Sequence, residues 1–183
     1  MSKKGFTLIE ILIVIVIISI LATIFLPMYR RVVERSRAAE AINLVRSVYL
    51  AQQHYKLVHG DFATSFNGLV LDFPGTRQTG KSNFWSTYNT DSIRTGMWAV
   101  EMEGGKNASV SVGRMEGPYQ GTGFFIQLQR LDGVNFPLDT IYCVEKFSNG
   151  KAYTGDKGTY CRDIMGGKLI HTSVYHKYSI NFK

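Results

Sequence analysis

The chain has 183 residues and a formal charge of +7 at pH 7, and 45% of its residues are hydrophobic and 13% aromatic. This composition excludes a disordered chain and predicts one packed domain, with room for an appendage. The positive charge makes nucleic acid a secondary candidate partner only, because no dense stripe of Lys and Arg follows residue 40.

The chain opens with a basic leader, residues 1–5, followed by an apolar segment, residues 6–29. A helix formed by this segment is about 36 Å long, enough to cross a hydrocarbon core of about 30 Å. No small-x-small cleavage site follows, so we expect a retained membrane helix rather than a cleaved secretory signal. Pro27 is predicted to kink or open this helix, because proline lacks a backbone donor.

One full charge, Glu10, interrupts the apolar segment. A charge costs about 2.5–3.5 kcal/mol at the centre of a bilayer and less near its interface, so the carboxylate needs a partner. Cleavage after Gly5 would create an α-amino group on Phe6, one helical turn away. Two interpretations stay open: Glu10 satisfies the N–H groups of its own helix terminus, or it pairs with the amine of a neighbouring copy.

The stretch KKGFTLIEILIVIVIISILATIFLPMYRRVVERSRAAEA closely resembles the N-terminus of type IV prepilins and of type II secretion pseudopilins. The resemblance covers residues 1 to about 55 and depends on the basic leader, Gly5, the FTLIE run, the long apolar span and Pro27. It implies that a membrane aspartyl peptidase cleaves between Gly5 and Phe6, and that Phe6 is then methylated. It also implies that Glu10 aligns each subunit with the next during filament assembly.

Residues 30–58 are predicted to extend the helix with one apolar face, and Gly60 is a suitable stop signal. Apolar side chains recur there at alternating steps of three and four, while charged residues fill the other faces. The stripe consists of Ala38, Ala41, Val45, Val48, Gln52 and Tyr55, widened by Ile42 and Tyr49. We expect this face to pack on the chain's own domain, in one helix from residue 6 to about 58.

Residues 59–183 are predicted to form a globular head. Residues 61 to about 95, rich in Gly, Ser, Thr, Asn and Asp, are interpreted as a long loop with short structured pieces. Predicted strands are MWAVEM from Met97, ASVSVGRM from Ala108, FFIQLQRL from Phe124 and TIYCVEKF from Thr140, and KLIHTSVYHKYSINF could add an edge strand. Within the second and third of these strands, SVSVGRM and FIQLQRL alternate apolar and polar residues, as strands with one buried and one exposed face do. The predicted fold class is α+β, one long helix on a small antiparallel sheet, which the resemblance also implies.

The chain has two cysteines, Cys143 and Cys161. Their spacing fits no zinc pattern, so a disulfide is the leading interpretation if the head faces an oxidising space, and two unrelated buried thiols are the alternative. In type IV pilins a disulfide near the C-terminus bounds an exposed loop, and the resemblance implies that role here. Many pseudopilins lack this pair. A disulfide would also place the head outside the cytoplasm. Charge alone leaves the orientation undecided, because Lys3 and Lys4 lie at one end of the apolar segment and Arg30, Arg31, Arg35 and Arg37 at the other.

Three further patterns suggest chemistry that their context does not support. Residues 75–82, GTRQTGKS, match a phosphate loop in which Lys81 and Ser82 would contact phosphate and magnesium, but a weak helix former follows. The four histidines, His54, His59, His171 and His176, form two pairs with a spacing that fits no metal site. Asn107 begins an NAS glycosylation pattern. We predict no catalytic residue, cofactor or metal.

The favoured function is a structural subunit of a type IV pilus filament. The resemblance implies a single-pass inner-membrane precursor that joins an extracellular or periplasm-spanning helical filament. Expected partners are identical or related pilin subunits, the prepilin peptidase and methyltransferase, the pilus or secretion assembly platform and inner-membrane lipid. The alternative within the family is a type II secretion or competence pseudopilin. Outside it, the alternatives are an enzyme that uses the phosphate-loop pattern and a membrane receptor or tip adhesin.

Overall fold

The computed structural model describes residues 6–78, 91–105, 108–129, 137–146, 152–172 and 175–180. The chain divides into two compact units, residues 1–37 and residues 38–183. One helix, α1 (Leu8–His59), supplies the regular structure of the first unit and begins the second. The single long helix predicted from residue 6 to about 58 is confirmed.

The second unit contains an antiparallel sheet of eight strands. The strands are β1 (Thr76–Gln78), β2 (Ser92–Thr95), β3 (Trp98–Glu103), β4 (Ser109–Arg114), β5 (Thr122–Gln127), β6 (Ile141–Lys146), β7 (Lys168–Thr172) and β8 (Tyr175–Ser179). Their order in the sheet is β1-β2-β3-β4-β5-β6-β8-β7, so β8 lies between β6 and the edge strand β7. A short 3-10 helix, Phe66–Gly68, precedes β1.

The four predicted strands are confirmed as β3, β4, β5 and β6, and the α+β class is confirmed with them. The structured pieces expected within residues 61–95 are the 3-10 helix and strands β1 and β2, which extend the sheet at one edge. The tail supplies two strands instead of one. Only β7 lies at the edge, while β8 pairs with a strand on each side.

The part of α1 in the second unit packs on one face of the sheet through the predicted apolar stripe. Ala38, Ala41, Val45 and Val48 are fully buried. They share a cluster with the sheet side chains that point towards the helix, which include Trp98, Val100, Val110, Val112 and Phe124. The stripe predicted from periodicity is therefore confirmed as the contact face.

Gln52, the polar member of the stripe, joins α1 to the segment that follows it. Its side chain is fully buried. Its Nε2 donates to the carbonyl of Ala63, and its Oε1 accepts from the N–H of the same residue, both at 2.9 Å. Nε2 also lies 3.1 Å from Sδ of Met102 in β3. A buried amide with its donor and acceptor both used stabilises the packing, whereas an unsatisfied one would oppose it.

In β4 and β5 the other face of the sheet is also buried, so the prediction that these two strands are half-buried is wrong. Every residue of β4 and β5 is buried, including the polar members of the alternating pattern. Phe125, Tyr142 and Val144 form a second cluster there. The ammonium group of Lys177 lies 4.3 Å from the centroid of the Phe125 ring. Burial lowers the pKa of Lys177 to about 8.

Candidate functional site

The first part of α1 carries apolar side chains on all sides. None of its most apolar stretch is buried against the rest of the described chain. Its large apolar residues, from Leu8 to Val32, are between 47% and 92% exposed. In length and composition the helix is able to cross a membrane.

Glu10 caps its own helix. Its Oε2 accepts hydrogen bonds from the backbone N–H of Thr7 at 2.8 Å and from the Thr7 hydroxyl at 2.6 Å. The Thr7 Oγ1 accepts in return from the N–H of Glu10, at 3.3 Å. This reciprocal arrangement is a capping box, which satisfies donors that the first helical turn leaves free. The single chain therefore has the self-capping arrangement, and pairing with a neighbouring amine stays a prediction.

The other polar groups of the apolar segment are used within the helix. The hydroxyl of Ser19 donates to the carbonyl of Ile15 at 2.6 Å, and that of Thr23 donates to the carbonyl of Ser19 at 2.8 Å. Both hydroxyls thus bond to carbonyls of their own helix, and Glu10 is the charged side chain of residues 6–29 that could pair with another subunit. The helix continues through Pro27, and the kink expected there stays a prediction. Phe6 is 84% exposed, whereas Gly5 lies outside the described residues.

The two cysteines are joined in a disulfide, as predicted. Cys143 lies in the middle of β6, between Phe124 of β5 and Tyr178 of β8. Cys161 lies in a turn between β6 and β7, and the two Cα atoms are 5.7 Å apart. Both cysteines are fully buried. The bond thus ties an irregular segment to a central strand of the sheet.

A buried carboxylate holds the same segment. Glu145 lies two residues after Cys143, on the same face of β6, and is fully buried. Its Oε1 accepts from the N–H groups of Tyr160 and Cys161 at 3.0 and 2.8 Å. Its Oε2 accepts from the N–H of Gly158 at 2.6 Å and from the Tyr178 hydroxyl at 3.2 Å. Four donors around one carboxylate make this a strong charge-assisted network.

This network changes the chemistry of the neighbouring phenol. Burial, and after it the charge and hydrogen bond of Glu145, raise the pKa of Tyr178 to about 12. Tyr160, which donates its backbone N–H, is fully buried. Its ring centroid lies 5.2 Å from that of Tyr119 and 6.5 Å from that of Phe124. The segment is therefore held by a covalent bond, a buried anion and ring packing together.

Comparison with known proteins identifies the N-terminal segment. The prokaryotic N-terminal methylation motif matches residues 1–26. A type IV major pilin protein, PilE1, of Neisseria gonorrhoeae is 47% identical over 79 residues, which are 43% of this chain and 48% of that protein. A fimbrial protein of Neisseria meningitidis serogroup A is 43% identical over 63 residues, 34% of this chain and 37% of that protein. The fimbrial protein EcpC of Eikenella corrodens is 62% identical over 42 residues, 23% of this chain and 28% of that protein.

The N-terminal segment is therefore similar to that of type IV pilins and fimbrial proteins. The resemblance noted in the sequence is thereby confirmed. The chain spans between about a quarter and a half of the length of these relatives. No solved structure matches the chain.

Sequence reasoning missed Glu145 in this pilin-like chain. The signal was present, because Glu145 follows Cys143 by two residues in a predicted strand and so must share its face. A charge on the face that holds a buried cysteine indicates a network that satisfies it. The identity of the donors, which come from a turn and from β8, was not readable locally.

Of the stretch that matches the phosphate-loop pattern, residues 75–82, the structure describes residues 75–78. Thr76–Gln78 form the edge strand β1, where a phosphate loop would need a turn after a strand. The side chain of Arg77 bonds to Asn67, Ser65 and Asp91, which gives this stretch a structural role. Lys81, Ser82 and Asn107 lie outside the described residues.

The histidines show no metal geometry within the described part of the chain, where no group of three His, Cys, Asp or Glu side chains could hold an ion. His59 stacks on Tyr55 with ring centroids 4.0 Å apart. His176 is buried in β8, and burial, followed by the charge of Lys157, lowers its pKa.

Proposed function

We propose that the chain is a structural subunit of a type IV pilus filament, cleaved after Gly5, N-methylated on Phe6 and polymerised through the first part of α1. The observation that carries the proposal is an exposed apolar helix of membrane length whose one carboxylate lies within a methylation motif. The named relatives, a type IV major pilin and two fimbrial proteins, support the same class.

The apolar helix has to be covered by lipid or by other helices. Lipid tails are about as apolar as its side chains, so moving from bilayer to filament yields little hydrophobic gain, and helix packing and polar contacts must supply the preference. Glu10 is suited to this role. We propose that in the filament its carboxylate turns from Thr7 to the methylated amine of a neighbouring subunit. That exchange gives up a capping interaction worth about 0.5–2 kcal/mol, so the ion pair must exceed that amount.

The disulfide supports the orientation. Disulfides persist in oxidising compartments, so we place the head outside the cytoplasm and the leader inside. Before assembly the precursor would be a single-pass inner-membrane protein, and afterwards part of an extracellular or periplasm-spanning filament. The prepilin peptidase and methyltransferase and the assembly platform are its proposed processing and assembly partners. We propose no enzymatic activity of its own.

Processing is tested by mass analysis of the mature protein. Its N-terminal peptide should begin at Phe6 and carry one methyl group. Gly5→Leu should leave uncleaved precursor in the membrane. A mature protein that still begins at Met1 would contradict the proposal.

Assembly is tested by Glu10→Ala. The variant should insert into the membrane and be cleaved, but it should yield few filaments on shearing, because the register charge is lost. Ser19→Ala is the matched control, since its hydroxyl is bonded within its own helix, and it should assemble normally. Normal filaments from Glu10→Ala would refute the role of the carboxylate.

A pseudopilin of a type II secretion or competence system is the second candidate, because the N-terminal motif is common to both groups. The disulfide and the named relatives favour the pilus. Abundance decides: a major pilus subunit should dominate sheared surface filaments, whereas a pseudopilin, a minor subunit or a tip adhesin should be scarce in them. The enzyme alternative requires nucleotide binding that is lost in Lys81→Ala.

A further inference from the structure

A cluster of arginines follows the apolar segment at the end that leads to the head. Residues 30–37 contain Arg30, Arg31, Arg35 and Arg37 and one acid, Glu34. Arg37 is engaged by Glu34 at 2.7 Å. Arg30, Arg31 and Arg35 have side chains exposed to solvent. Exposed positive charge is therefore concentrated in less than two helical turns.

The position of this cluster along α1 matches the level of lipid headgroups. If the start of the apolar segment lies at one interface, about 36 Å of helix brings residue 30 to the other, given a hydrocarbon core of about 30 Å. Tyr29, which is 66% exposed, precedes the cluster. Tyrosine is typical of membrane interfaces, and arginine side chains are long enough to reach the headgroups from the end of a membrane helix.

The arginine cluster is suited to bind an anionic partner at the membrane surface. Positive residues normally collect on the cytoplasmic side of a membrane helix, and the proposed orientation puts this cluster on the opposite side. An arginine guanidinium matches the phosphate group in a bidentate manner. Arg31 and Arg35 are four residues apart and share a helix face, with Arg30 beside them, so neighbouring phosphates can be contacted together.

We propose that Arg30, Arg31 and Arg35 bind the phosphate groups of anionic phospholipid in the outer leaflet of the inner membrane, before assembly. This inference rests on the membrane insertion and orientation in the proposed function, but on neither cleavage nor polymerisation. The alternative occupant, an acidic surface of a second copy, is less favoured. The acid that a second copy offers at this level of the helix, Glu34, is buried and already bonded to Arg37 of its own chain.

The test uses the full-length, uncleaved chain in phosphatidylcholine bilayers that contain trace spin-labelled phosphatidylglycerol or spin-labelled phosphatidylcholine. Electron paramagnetic resonance reports the fraction of each labelled lipid immobilised by the helix. Labelled phosphatidylglycerol should be selected, and the selectivity should weaken as salt is added. The Arg30→Gln/Arg31→Gln variant should lower the selectivity by up to about fivefold per arginine.

Two controls isolate the cluster. Arg46→Gln removes an exposed arginine further along the chain and should leave the selectivity unchanged. Lys3→Gln/Lys4→Gln measures the contribution of the opposite end of the segment. Arg30→Lys/Arg31→Lys keeps the charge but loses bidentate geometry, so it should retain only part of the selectivity.

Unchanged phosphatidylglycerol selectivity in Arg30→Gln/Arg31→Gln would overturn the inference. Loss of filaments in that variant with unchanged lipid selectivity would also overturn it, in favour of contacts between copies. Lipid selectivity in a chain that is never cleaved or assembled would support this inference while refuting the proposed function. A chain that immobilises no lipid at all refutes both.

Discussion

Replacing Glu145 by Gln probes the buried carboxylate with almost no change in shape. The amide nitrogen of the new glutamine cannot accept a hydrogen bond. It should therefore take the place of Oε2, where one of the two donors is a hydroxyl, and not that of Oε1, where both are backbone N–H groups. The Tyr178 hydroxyl, which donates to Oε2, can rotate and accept from the new NH₂ group. The amide oxygen then stays with Tyr160 and Cys161, and the N–H of Gly158 is left facing a donor.

The expected cost follows from this arrangement. One buried N–H loses its acceptor, which costs about 1–3 kcal/mol, and the remaining hydrogen bonds lose their charge assistance. Removing a buried ion returns part of this, because the desolvation of the carboxylate no longer opposes folding. We expect Glu145→Gln to lower the free energy of unfolding by about 2–3 kcal/mol, and the midpoint of thermal unfolding by about 5–10 °C.

The assay is thermal unfolding of the full chain in detergent, followed by near-ultraviolet circular dichroism, with amide hydrogen exchange as the local readout. Exchange should accelerate most at Gly158 and less at Tyr160 and Cys161. Glu116→Gln is the matched control: its carboxylate is 63% exposed and 3.9 Å from Arg94, so the change should be small. An unaltered unfolding midpoint in Glu145→Gln, with Gly158 still protected, would refute the reasoning.

Three further predictions concern the head. Cys143→Ser/Cys161→Ser should lower the free energy of unfolding by about 3 kcal/mol, measured against the oxidised protein, because the closed loop no longer restricts the unfolded chain; equal stability would contradict this. Gly121→Ala should destabilise much more than Gly96→Ala, since both glycines have positive φ but only at Gly121 would a Cβ overlap a neighbouring backbone; similar unfolding midpoints would argue against that overlap. Lys177 has a pKa lowered to about 8 by burial, so its protonated form opposes folding in full below pH 8, and this cost disappears as pH rises from about 8 to 10.5. Stability should therefore increase across that range by up to roughly 3 kcal/mol, and Lys177→Met should abolish the increase; a pH profile identical in the two proteins would refute it.

The parts of the fold that depend on neighbouring residues were predictable from sequence. The 3.6-residue period placed Val45 and Val48 on the buried face of α1, because a helix brings such residues together whatever they pack against. The same holds for β3 to β6, whose β-branched and aromatic runs are separated by turn residues. The disulfide was also predictable, because the chain has two cysteines and their spacing fits no zinc pattern.

The parts that depend on distant residues were not predictable. β1, Thr76–Gln78, is short and polar and gains strand geometry by pairing with β2. The burial of Ser111 and Gln127 on the second face of the sheet depends on what covers that face, and their alternation with apolar residues suggests exposure instead. The capping box of Thr7 and Glu10 fits a local signature. Sequence alone left that arrangement and an intersubunit pair both open, because the same carboxylate can serve either.

The position of β8 between β6 and β7 has a consequence for biogenesis. In the proposed orientation the head crosses the membrane from its N-terminal end, so β7 emerges before β8, the strand that will hold it, and Tyr178 emerges after both cysteines. The disulfide can therefore form before the sheet is complete. When β8 then inserts between β6 and β7, it brings the Tyr178 hydroxyl to the carboxylate of Glu145. A chain that ends just before β8 should therefore be able to form the Cys143–Cys161 bond while its sheet lacks the strand between β6 and β7.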